Sequence, residues 1–166
     1  GKGVAAGSRG GGLRVRNVET KECAGESRRH TAAIEDVRFA PDGTLLTASH
    51  DGTVRWWNAA TGDEVRCVRH DAQVYSIAVG ADGPLLFTGG DDPGLRIWRL
   101  SNGEAVRFVP ANGNQFFTLA TSRQGHLVAG GSTLTIYTQD DIPGSARVLR
   151  DRAEEHSYAV GWVLEL

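Results

Sequence analysis

Apolar residues in this chain arrive in short bursts, each closed by a turn. Ile34, Val37 and Phe39 run into Ala40-Pro41-Asp42-Gly43. Residues 45–48 follow, then Asp51-Gly52, residues 54–57, Thr61-Gly62 and residues 65–68. Glycine and aspartate at the breaks supply the backbone freedom and local acceptors that reversals need. The pattern predicts four strands of roughly four to six residues joined as successive antiparallel hairpins. Both faces of the third strand are apolar, Val54 and Trp56 on one and Trp57 on the other. Such two-faced burial predicts a small sheet pressed between neighbours. No stretch holds a 3.6-residue apolar period with caps, so no helix is expected.

The pattern then repeats. His30-Thr31, Ile34, Val37, Asp42-Gly43, Thr47, Asp51-Gly52 and residues 54–57 reappear as His70-Asp71, Val74, Ile77, Asp82-Gly83, Thr88, Asp92 and residues 95–98. His30 to His70 spans 40 positions, and Thr47 to Thr88, Asp51 to Asp92 and Trp57 to Trp98 each span 41. A period of this size means stacked units that cannot bury their apolar faces alone. A weaker third unit has Phe116, Leu119, Gln124-Gly125, residues 127–129 and residues 133–137, with Asn112 at the histidine position and Tyr137 at the tryptophan position. Partial units flank these: residues 4–7, 13–16 and 22–24 match the last three strands of a unit, and His156, Val160 and Val163 match the opening of one.

In these residues the chain resembles the WD-repeat β-propeller family over essentially its whole length. The marks are the opening histidine, the aspartate before the third strand, and Trp57-Asn58 and Trp98-Arg99 where the family has Trp-Asp. The resemblance implies an all-β fold of four-stranded antiparallel propeller blades, incomplete or part of a larger ring, around a central channel. It divides the chain into a partial blade at 1–29, blades at 30–69 and 70–111, a degenerate blade at 112–151, and the first strand of a further or closing blade at 152–166. It also implies a structural hydrogen-bonded set in each full blade: Trp57, Thr47, His30 and Asp51 in one, Trp98, Thr88, His70 and Asp92 in the next. The chemistry is coherent, since a buried indole N–H needs an acceptor, threonine both accepts and donates, and histidine passes the chain to a carboxylate. The same three residue types make a nucleophilic triad, but recurrence in a second unit favours the structural role.

The family's partner-contacting positions fall on Ala33, Glu35 and His50 in one blade, on Gln73, Tyr75 and Asp91 in the next, and on Gln115 and Phe117 in the degenerate one. Tyr75 and Phe117 read either as binding anchors or as filling between blades. With Glu35 and Asp91 nearby, a basic or polar peptide partner is expected. The ends have two readings: they join into a small four-bladed ring, or the chain is part of a larger propeller whose edges associate. The larger propeller is the favoured expectation.

Composition narrows the picture further. Of 166 residues 18 are basic and 20 acidic, a formal net charge of −2, which gives no nucleic-acid or membrane-binding surface. No apolar run approaches the ~18 residues of a membrane span, and no signal peptide is visible. Two cysteines, Cys23 and Cys67, are too few for a disulfide framework and fit a reducing, cytoplasmic compartment. The chain opens on Gly1 and has no methionine, so it is expected to be a piece of something longer. Residues 1–7 echo a phosphate-cradling loop without its strand or helix. Asp91-Asp92 and Asp140-Asp141 lack further ligands at cation-loop spacing, and His50 and His126 make no metal site. Arg28-Arg29 reads as a solvated loop and Trp162 as core. The expectation is a non-enzymatic protein-interaction scaffold without metal or cofactor, bound to other proteins or peptides. The alternatives are a sensing tail of a larger multidomain signalling enzyme and a structural subunit of a large assembly.

Overall fold

The computed structural model describes residues 3–80, 84–111, 113–123 and 125–138. Asp82-Gly83, Asn112, Gln124, Asp140-Asp141, the strand expected over 147–150 and the unit expected at 152–166 with His156, Val160, Trp162 and Val163 lie outside the described residues, as do Gly1 and Lys2. The described chain is all-β, without a helix.

Strands β1 (Gly3–Gly7), β2 (Leu13–Asn17) and β3 (Cys23–Ser27) form a first, three-stranded sheet. The second has four strands: β4 (Ile34–Phe39), β5 (Leu45–Ser49), β6 (Thr53–Trp57) and β7 (Glu64–Arg69). The third repeats it with β8 (Val74–Val79), β9 (Leu85–Gly90), β10 (Gly94–Arg99) and β11 (Ala105–Pro110). The fourth holds β12 (Phe116–Thr121), β13 (Leu127–Gly131) and β14 (Leu134–Tyr137). Every sheet is an antiparallel meander in chain order, the propeller blade.

The core lies between blades rather than within them. β5 and β6 are buried along their whole length. Trp57 faces Leu13, Val15, Ile34 and Leu45, between the first and second blades. Trp56, one residue earlier, faces the other way and packs with Val74, Ile77, Leu86 and Trp98 of the third. Phe116, Leu119, Leu127 and Tyr137 of the fourth blade close on Phe87, Leu95 and Ile97. Full burial of one such side chain contributes about 1.5–3 kcal/mol, so the interblade layers are the main source of stability. On the far side of the fourth blade Leu134 and Ile136 remain exposed.

Polar ties reinforce the stacking. The Leu119 N–H of β12 donates to Ser76 Oγ of β8 at 3.0 Å, and Ser76 Oγ donates to Asp36 Oδ2 of β4 at 3.1 Å. Ile77 N–H donates to the same Asp36 oxygen at 3.0 Å. Asp36 and Ser76 each stand six residues after their blade's histidine, so one register position links three successive inner strands. Trp56 Nε1 donates to Leu100 O at 3.0 Å, and Thr121 Oγ1 to Val79 O at 2.7 Å, again across blades.

The turn into the outer strand recurs every 41 residues at Lys21, Gly62 and Gly103, each N–H donating back to the carbonyl four residues earlier. All three sit at positive φ, 59°, 76° and 67°, a region that penalises a Cβ. Lys21→Gly is therefore expected to raise stability by roughly 0.5–1 kcal/mol, read as a higher denaturant midpoint. Asp36→Ala strands the Ile77 N–H at a blade junction and is expected to cost about 1–3 kcal/mol. Asp36→Asn, which keeps an acceptor there, should cost less in the same measurement.

Candidate functional site

Two constellations contain most of the sequence-selected residues, one sealed and one open. The sealed one is the relay within each full blade. In the second blade Trp57 Nε1 donates to Thr47 Oγ1 at 2.9 Å, Thr47 Oγ1 lies 2.6 Å from His30 Nε2, and His30 Nδ1 lies 2.8 Å from Asp51 Oδ2. In the third, Trp98 donates to Thr88 Oγ1 at 2.8 Å, Thr88 meets His70 Nε2 at 3.0 Å, and His70 Nδ1 meets Asp92 Oδ2 at 2.8 Å. The carboxylate beside Nδ1 assigns the proton to that nitrogen, leaving Nε2 to accept from the threonine. Asp51 also accepts from the Thr53 N–H and hydroxyl at 2.9 and 2.5 Å and from the Thr31 N–H at 3.1 Å.

Burial drives both histidines below their ordinary value near 6.5, and the flanking Asp51 and Asp92 recover only part of that shift. Burial also pushes the Asp51 carboxyl up, but hydrogen bonds from Thr53, His30 and Thr31 outweigh it and hold the acid below its usual range. The atoms have the order of a nucleophilic triad. Thr47 and Thr88, however, are wholly buried, and the oxygen of each already accepts an indole N–H, so no substrate reaches it.

Spacing alone did not disclose two arginines. Arg55 and Arg96 each lie four residues after the relay aspartate, in the middle of a buried third strand. Arg96 Nε donates to Asp92 Oδ2 at 2.6 Å, while Arg55 donates to Thr53 Oγ1 at 3.1 Å and pairs with Glu64. Their recurrence was the available signal. In the fourth blade the threonine position is Ala129, aligned by its pairing with Leu119 and Thr135, and a buried Tyr137 replaces the tryptophan.

The open constellation lies on the inner strands near their starts. In β4, β8 and β12 the ladder register shifts between Ile34 and Asp36, between Val74 and Ser76, and between Phe116 and Thr118. The residues left over are Glu35, Tyr75 and Phe117. A β-bulge at the same place in three consecutive blades turns these side chains out of the pleat. His50 Nε2 lies 3.2 Å from Glu35 Oε1, and its ring meets the Tyr75 ring edge-on at 5.2 Å. Tyr75 and Phe117 rings are 5.5 Å apart, and the Tyr75 hydroxyl donates to Asp91 Oδ2 at 2.8 Å. Burial, then the hydrogen bond to Asp91 and the Asp91 and Glu35 charges, push the Tyr75 hydroxyl up to about 12. The structure thus brings Glu35, His50, Tyr75, Asp91 and Phe117 together across three blades. Ala33 is half-buried beside them in sequence, and Gln73 and Gln115 are exposed. His50, which the sequence left solitary, has a carboxylate partner. Among the described residues no group of three or more metal-ligating side chains occurs.

With this geometry in hand, the family model described as WD domain, G-beta repeat matches residues 21–58 and 62–99. Each match starts on or just before an outer strand, β3 or β7, and runs through the three inner strands of the next blade. The chain is 37% identical over 82 residues to nuclear distribution protein PAC1-2 of Uncinocarpus reesii, covering 43% of this chain and 18% of that protein. It is 42% identical over 89 residues to mitochondrial division protein 1 of Mycosarcoma maydis, covering 51% of this chain and 11% of that one. To small ribosomal subunit protein RACK1 of Caenorhabditis elegans it is 27% identical over 117 residues, covering 68% and 36%. The chain thus spans only a minor part of the length of these relatives.

Thr47→Val keeps the volume of the relay centre but leaves the indole N–H and His30 without their shared partner. It is expected to cost about 2–3 kcal/mol in equilibrium unfolding. Because both relay histidines resist protonation only when folded, the unfolded chain binds more protons below pH ~6.5, and stability should fall as pH drops from there. Denaturant midpoints at pH 7.5 and pH 5 should show that fall, and His70→Gln should flatten it; an unchanged slope in the variant would contradict the assignment.

Proposed function

We propose that this chain, which belongs to the WD-repeat family, is a non-catalytic scaffold that presents the bulged rim of its blades to partner proteins inside the cell. The observation that carries the reading is the alignment of Glu35, Tyr75 and Phe117 as extruded residues in three consecutive inner strands. A bulge forfeits ladder pairing, and a protein core gains nothing from Phe117 standing 54% exposed; a partner surface does. The triad-like sets support the same reading from the other side, since their hydroxyls are sealed and engaged in packing. The relative named as a small ribosomal subunit protein supports work within an assembly. No described helix is long and apolar enough to cross a membrane.

A structural subunit is the second reading, favoured by the uncovered Leu134 and Ile136 face of the fourth blade. That face also supports a larger propeller, in which another blade would cover it.

Affinity capture with quantitative mass spectrometry separates the two. Under the rim reading Phe117→Asp loses at least one enriched partner, while Val65→Ser, at a similarly exposed position on the outer strand β7, keeps it. Identical partner sets for wild type and Phe117→Asp, with the variant folded by circular dichroism, would reject the rim as the binding surface.

A further inference from the structure

We propose that the rim ledge of His50, Tyr75 and Phe117, with Asp91 and Glu35 at its edge, captures an arginine side chain of a partner protein; the inference rests on the interaction reading above. The ledge offers two chemistries side by side. Phe117 shows 54% of its surface, and its ring stands 5.5 Å from Tyr75 at an interplanar angle of 40°, so the pair forms a bent aromatic wall rather than a closed core contact. The electron-rich face of such a wall attracts a cation.

Beside it lie two carboxylates that no arginine or lysine among the described residues pairs with. Asp91 Oδ2 accepts the Tyr75 hydroxyl, which leaves Oδ1 for another donor, and Glu35 has only His50 opposite it. Among the described residues neither carboxylate has an arginine or lysine within salt-bridge distance. The acids below the rim are treated differently: Asp36 pairs with Arg38, Asp51 lies near Arg55, and Asp92 pairs with Arg96. Cations are supplied to the structural carboxylates and withheld from the two on the ledge.

Arginine fits this arrangement better than lysine. A guanidinium stacks its plane on an aromatic face while its edge donates to a carboxylate, and it is less strongly hydrated than an ammonium. Within the protein Arg96 already lies over the Phe108 ring at 5.7 Å while donating to Asp92, which is the proposed mode in intramolecular form. The Tyr75–Asp91 hydrogen bond orients the carboxylate beforehand.

The test uses a random peptide library displayed on phage, selected on the wild-type protein, with affinities then measured by fluorescence anisotropy on synthetic peptides. The expected result is enrichment of arginine. Replacing that arginine by citrulline in the peptide, or Asp91→Asn or Phe117→Ala in the protein, should each weaken binding roughly tenfold, and the peptide's Arg→Lys change should weaken it measurably. Val65→Ser should leave affinity unchanged. Selected peptides without arginine whose binding still falls with Phe117→Ala would overturn the arginine inference and leave the rim reading standing. Arginine peptides indifferent to Asp91→Asn and Phe117→Ala would overturn both, and a selection that yields no binder would overturn the arginine inference.

Discussion

A buried indole N–H has to find an acceptor, and in this molecule it finds a threonine hydroxyl on the neighbouring strand. That single requirement orders the rest of each full blade. The threonine that accepts from Trp57 or Trp98 turns its remaining capacity to a histidine, and the histidine hands the proton demand to an aspartate in the next turn. The aspartate in turn holds turn amides or a strand arginine. Second strand, third strand, entering loop and hairpin turn are thus bound to one another through atoms that cannot be left unpaired without cost. Among the described residues every buried side-chain nitrogen and oxygen has a partner. The fourth blade, with Ala129 and Tyr137 in place of threonine and tryptophan, shows that the apolar half of the design suffices to build a blade when its neighbour supplies a face to pack on.

Between blades the governing constraint is different. Sheets of four- to six-residue strands are too small to bury a core of their own, so adjacent tryptophans divide the labour, Trp57 toward the first blade and Trp56 toward the third. Dry packing of this kind tolerates sliding; the chain from Leu119 through Ser76 to Asp36 does not, because each hydrogen bond is met only in one register. The repeat matches span blade boundaries for a compatible reason. A unit that begins with an outer strand and ends with the third strand of the next sheet makes neighbouring sheets covalently interdependent.

The strand pattern, the period and the relay positions were legible because each depends on residue type at a fixed spacing: glycine at reversals, alternation along strands, tryptophan at 41-residue intervals. What was not legible is geometry that has no residue signature. Nothing in Glu35, Tyr75 or Phe117 as letters says that the ladder shifts around them. The three differ in type, and only pairing partners reveal the shared bulge. Asp36 and Ser76 were hidden likewise: a polar residue inside an apolar strand looks like a solvated face until a neighbouring blade's N–H is found against it. Arg55 and Arg96 recurred in plain view, but long basic side chains on short strands read as surface, whereas here Arg55 is buried, Arg96 is half-buried and both heads serve carboxylates.

The adjacent pair Asp91-Asp92 condenses the molecule's division of tasks. Successive residues leave the backbone in different directions, so one carboxylate enters the blade and the next stays on the rim. Asp92 is buried, held by His70 and Arg96, and any change there disturbs the blade itself. Asp91 answers only to Tyr75 and the solvent side, so its chemistry can vary without disturbing the fold. A repeat that seals its paired structural carboxylates beneath a layer of bulged residues keeps its framework and the proposed recognition surface on separate atoms. That separation is the physical reason a blade can retain its shape when a rim side chain is changed, as the proposed partner surface requires.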